Sequence, residues 1–200
     1  MPDQPYIRYH KWSQREYRSL FKNLRESLSL ESLQFYMPLF SLYFYIHNTR
    51  NSPKTIDLER RYYLSGLVEI TKERYYNSNL LAKAKIYDSG THSFMTREIF
   101  CKRMSLLDPM HCLNNNYTTR IKRNPYVPSG YTSNTSRKIN DMNNSAYIDV
   151  FFSYLCGQLR HANKSPSFPY FYGSVNGQGD YKYDISEEYE DLRLEKSFTD

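Results

Sequence analysis

The sequence predicts an α+β fold, on three observations. A capped amphipathic helix begins at Ser13, an alternating strand pair starts near residue 80, and a second long helix begins at Ser145. The first is the sharpest. Ser13-Gln-Arg-Glu16 has the form of a capping box, with the serine at the N-cap and the glutamate reaching back. Tyr17, Leu20, Phe21, Leu24 and Leu28 then share one helical face, and Arg15, Arg18, Lys22 and Arg25 share the opposite one. A solvated face is the plain reading of these cations; a phosphate or nucleic-acid contact is the sharper one.

Pro38 should end any helix begun at Ser29. Residues 39–46 form a short aromatic run that fits a buried strand or a buried helical turn equally well. A polar break follows at 48–54, and within 55–76 the stretch 64–70 leans towards strand. Ala82, Ala84 and Ile86 then alternate with Lys83 and Lys85, Asp88-Ser89-Gly90 makes a turn, and 94–104 reads as the antiparallel return strand. Residues 114–140 contain 16 Asn, Ser, Thr, Pro or Gly in 27, too little apolar surface to offset their ordering entropy, so a mobile insertion is expected. Ser145 should cap the second helix, with Asp149 in its first turn and a stripe of Ile148, Phe152, Leu155 and Leu159 packed on the strand pair. Pro166 stops that helix; a short aromatic strand at 168–175 and a turn at 176–179 follow. The expected organisation is a basic helical extension over 1–54 and a domain over 55–200, with the insertion inside it and an acidic tail at its end.

Charge separates the two ends of the chain. Residues 1–140 hold 22 Lys+Arg against 11 Asp+Glu, whereas 141–200 hold 5 against 10. The basic part therefore admits a nucleic-acid partner, and the end does not. Three cysteines, Cys101, Cys112 and Cys156, are an odd number without a C-x-x-C, which excludes a disulfide scaffold and fits a reducing compartment. Adjacent His111 and Cys112 make poor spacing for a zinc cage with Cys101. The N-terminus has no apolar core of a secretory signal, and the longest apolar stretch, Met37 to Ile46, is too short to span a bilayer. No membrane partner is expected. No G-x-S-x-G, H-E-x-x-H, Walker loop or EF-hand loop occurs.

Three pieces in order carry the functional reading. Arg97-Glu-Ile-Phe-Cys-Lys102-Arg-Met runs into Ser105-Leu-Leu-Asp108-Pro109. Asn143-Asn-Ser-Ala-Tyr-Ile-Asp149-Val-Phe-Phe-Ser-Tyr-Leu155 follows, and then Phe171-Tyr-Gly-Ser174. A strand lysine, an amphipathic helix and a strand ending in Tyr-Gly-Ser is the order of a protein-kinase small lobe. The wording resembles the serine/threonine protein kinase-like proteins of nucleocytoplasmic large DNA viruses, over residues 97–200. The resemblance implies a partial kinase-like small lobe, antiparallel strands with one packed helix, behind the N-terminal extension. It implies ATP and magnesium as cofactors, phosphoryl transfer to protein hydroxyls, protein substrate or virion proteins as partners, and the host cytoplasm or virion as location. It places Lys102 on the nucleotide phosphates and Asp149 on that lysine.

The sequence departs from the family's pattern in three ways. No G-x-G-x-x-G precedes Lys102, the helix offers Asp149 where a glutamate is usual, and neither His-Arg-Asp nor Asp-Phe-Gly is present. No catalysis is therefore expected of these 200 residues alone. On the residues themselves, Lys102 is equally an ordinary strand lysine and Asp149 a helix-dipole partner. A basic, tyrosine-rich virion or scaffold protein on a degenerate kinase-like fold is the alternative, and a nucleic-acid-binding module is a third.

Overall fold

A computed structural model describes residues 7–44, 53–73, 79–114, 116–117 and 133–194. It is an α+β fold with antiparallel sheets. The elements used below are β1 (Tyr9–Lys11), α1 (Gln14–Leu28), β2 (Glu31–Gln34), β3 (Ile56–Leu58), β4 (Tyr62–Glu73), β5 (Leu80–Asp88), β6 (Ser93–Cys101), α2 (Pro109–Leu113), α3 (Asn134–Ile139), α4 (Ser145–His161) and β7 (Asn176–Gln178).

The central sheet is the meander β4-β5-β6. β5 alternates as the sequence requires: Leu80, Ala82, Ala84 and Ile86 are buried, and Lys83 and Lys85 are exposed. The expected pairing of β5 with the return strand is present, in continuous register from Leu80↔Cys101 to Asp88↔Ser93. α1 covers the buried face. Its capping box forms on Ser13 and Glu16, and Leu20, Phe21 and Leu24 pack against Leu67, Ala82, Ala84 and Ile86. Burying each such leucine contributes about 1.5–3 kcal/mol. Asn23 ties helix to sheet through one amide: its Nδ2 donates to the Leu67 carbonyl at 3.0 Å, and its Oδ1 accepts from the Leu67 N–H at 2.7 Å. The Arg15, Arg18, Lys22 and Arg25 face lies in solvent.

Two further two-stranded sheets lie outside the meander, one within the residues before it and one linking those residues to the chain after it. β1 pairs with β3, and β2 with β7. The aromatic run settles as a 3₁₀ turn over Pro38–Leu42, started by the fixed proline φ; it is buried at Pro38, Leu39 and Phe40 and exposed at Leu42, and residues 45 and 46 lie outside the described residues. Its Phe40, with Met37 and Phe44, forms a second core together with Tyr147 and Tyr154 of α4.

Four expectations for the second half need correction. First, Asn144 rather than Ser145 is the N-cap of α4. The buried Asn144 amide makes both ends of a bridge: Oδ1 accepts from the Ala146 N–H at 3.1 Å, and Nδ2 donates to the Leu106 carbonyl at 2.8 Å. Asp149 is then the fifth helical residue, outside the first turn, so no cap or dipole contact holds it. Second, the Ile148/Phe152/Leu155/Leu159 stripe does not face the sheet; Phe152 is 62% exposed and Leu159 44%. α4 is apolar nearly all round, so period alone does not choose its face. The tyrosines choose it, because their hydroxyls find acceptors inside: Tyr147 on the Ile139 carbonyl at 2.8 Å and Tyr154 on the Glu59 carbonyl at 3.2 Å. Gly157 completes that face, since a Cβ there would stand 2.9 Å from the Phe171 side chain. Third, the end of the polar segment is ordered. Ser133 caps α3, whose Thr135 and Ile139 are buried against the start of α4. Residues 115 and 118–132 lie outside the described residues. Fourth, 168–175 is not a strand, and the strand expected as a turn is β7. Tyr172 supplies a single carbonyl to the Leu64 N–H at the β4 edge, and Gly173 takes φ +135, which breaks extended pairing.

At the far end of the meander Arg61 grips Asp88 in a two-point ion pair, at 2.9 and 3.0 Å. The hydrogen bond from Arg61 holds the Asp88 carboxyl down at about 2, against an ordinary 3.8. The folded chain thus binds this proton more weakly than the unfolded chain. The pair's contribution is full above the ordinary carboxylate value and is lost as pH falls towards about 2. Urea midpoints of wild type and Asp88→Asn, taken from pH 6 down to 2, should converge as the pH drops; parallel curves would show that the pair contributes nothing to stability.

Candidate functional site

β6 stops at Cys101, and Asn79 fixes the exit by accepting the Arg103 N–H on its Oδ1 at 2.8 Å. Lys102 is therefore the first residue off the strand. Its Nζ donates to Asp149 Oδ1 at 2.7 Å, across 47 residues of chain, with the two side chains 50% and 35% exposed. An ion pair so open to water contributes at most about 1 kcal/mol to stability. Its interest lies in its position. The two residues that the sequence singles out are brought together, although α4 presents a different face from the one expected.

The pair stands on the wall of a cleft of about 1270 Å³. One side is formed by residues 98–107, another by Asp149, Val150 and Ser153 of α4, and a third by residues 169–181. Leu28 of α1 adds partly exposed apolar surface, while Leu20 and Leu24 lie beneath it in the core. A largely apolar pocket with a few convergent charged groups suits a ligand that has a flat apolar part and an anionic part. The thiol lining this cleft nearest the lysine, Cys101, is pushed up to about 11 by burial, so it stays protonated and is no nucleophile at neutral pH.

Sequence reasoning missed a second cluster behind the cleft. Asp57 and Arg60 form an ion pair at 2.7 Å with side chains 3% and 1% exposed. The Trp12 indole N–H also donates to Asp57 Oδ2, at 3.3 Å. Arg60 donates to the carbonyls of Leu58 and Tyr62 and lies 4.6 Å over the Tyr63 ring. Gly173 is required here, because a Cβ would stand 2.4 Å from Arg60 Nη2. The only sequence signal was an Asp-x-x-Arg spacing that straddles the buried Leu58. The cluster is a fixed anchor: each of the three Arg60 guanidinium nitrogens already donates within it.

Among the described residues, no group of three or more His, Cys, Asp or Glu side chains is placed to hold a metal ion, and no helix is long and apolar enough to cross a membrane. Comparisons with family models, with curated proteins and with solved structures found no match.

Proposed function

We propose that this chain is the N-terminal, nucleotide-gripping part of a serine/threonine protein kinase-like protein of the large-DNA-virus type. One observation carries the reading: a lysine just past the end of the third strand of an antiparallel meander pairs at 2.7 Å with an aspartate of a later long helix. In phosphoryl transfer the protein's work is positioning and charge stabilisation, and a lysine at a strand's exit fixed by a helix acid can do both for the nucleotide phosphates. Lys102 Nζ would donate to phosphate oxygens, while Asp149 keeps the ammonium aimed into the cleft. The donor set fits an anionic ligand, and the partly exposed Leu28 at the end of α1 fits its apolar part. ATP is the phosphoryl donor when bound, and protein hydroxyls are the acceptors. No residue of this chain is assigned to magnesium.

The His-Arg-Asp and Asp-Phe-Gly motifs are not in these 200 residues, so transfer needs a form of the protein that supplies them. In such a form Lys102→Met should abolish phosphoryl transfer to a protein substrate while the circular dichroism spectrum stays unchanged. Undiminished transfer would remove Lys102 from the site. A second reading is favoured by the outward Phe152 and Leu159 and by the irregular 168–175 segment: a non-catalytic virion or scaffold protein on a degenerate kinase-like fold. In that case the cleft binds no nucleotide, and α4 offers its exposed stripe to virion proteins.

A further inference from the structure

Arg103, beside the lysine, has no role in the reading above. Successive residues of an extended strand point to opposite faces, but the chain leaves strand geometry at Cys101, and both Lys102 and Arg103 line the same cleft. The two cations differ in their surroundings. Lys102 is neutralised by Asp149. Arg103 is used only through its backbone N–H, which Asn79 fixes. Its guanidinium meets no acceptor, carboxylate or aromatic ring among the described residues, and its Nε is buried away from solvent without a partner. The other carboxylates of the cleft wall leave it so: Glu98 faces Lys83 across the sheet, and Asp180 belongs to the 169–181 segment. A buried guanidinium N–H without an acceptor is costly, and it is satisfied when an anion supplies one.

We infer that Arg103 is a second phosphate-binding residue of the cleft, so that the site takes a ligand with at least two linked phosphoryl groups. The inference rests on the nucleotide reading and narrows it: a nucleoside diphosphate or triphosphate is selected over a monophosphate or a nucleoside. The planar fork of arginine suits two oxygens of one phosphoryl group, and the point charge of Lys102 suits its neighbour.

The test is calorimetric titration of the full chain with tripolyphosphate, ATP, AMP and adenosine, in wild type, Lys102→Met, Arg103→Gln and Arg103→Lys. Loss of a charge-assisted hydrogen bond corresponds to a weakening of about tenfold to a hundredfold. Arg103→Gln should weaken tripolyphosphate and ATP by that factor and leave adenosine unchanged. Arg103→Lys, which keeps the charge but loses the fork, should fall between, and it carries the comparison if the glutamine variant has a lowered melting temperature. If ATP binding depends on Lys102 and is indifferent to both Arg103 variants, this inference is wrong and the nucleotide reading survives. If wild type binds neither tripolyphosphate nor ATP, both are overturned.

Discussion

Asp57→Ala is expected to destabilise the protein by about 3–5 kcal/mol, the range for breaking a buried ion pair by removing one partner. Asp57 and Arg60 are 2% and 5% exposed, so neither charge has water to fall back on. Without Asp57 the Arg60 guanidinium keeps two carbonyls but loses its counter-charge, and the Trp12 indole loses its acceptor. Truncation is far costlier than the pair's net worth, because well-packed apolar replacements of both partners are often neutral. Asp57→Leu with Arg60→Met should therefore recover most of the loss. Urea unfolding of the single and double variants measures this. A loss below about 1 kcal/mol in the single variant would show the pair to be solvated.

Phe40→Ala should cost about 3–5 kcal/mol, as large-to-small changes of buried aromatics do. The ring is 1% exposed and lies between Tyr36 and Phe44, in the cluster that also holds Tyr147 and Tyr154. The effect should reach the site, because this cluster fixes the inner face of α4 and so the position of Asp149. Hydrogen exchange should show α4 amides losing protection more than those of β5. Equal loss in both elements would mean that the two cores unfold as one unit.

The two halves of the chain were unequally legible. α1 and the β5–β6 pair could be read directly because one periodicity matched one buried face: period 3.6 for Leu20, Phe21 and Leu24, and period 2 for Ala82, Ala84 and Ile86. α4 could be located but not oriented. Tyr147 and Tyr154 are buried through hydroxyl contacts with the carbonyls of Ile139 and Glu59, and no local pattern shows these. Residues 168–175 have strand composition, but their conformation is set by Gly173 against Arg60, a tertiary contact. The Lys102–Asp149 pair is legible in the motif order, whereas Asp57, Arg60 and Arg103 carry no motif. Their roles follow from burial, which a single sequence does not display.

The cleft beside Lys102 and Asp149 is proposed to hold a nucleotide through its phosphates. Titration of this chain with magnesium-ATP tests it most directly, in wild type and in Lys102→Met proteins of matched melting temperature. Saturable one-site binding is expected in the wild type, weakened at least tenfold in the variant, as follows from loss of a charge-assisted hydrogen bond. Equal binding by the two proteins, or no binding by the wild type, would contradict it.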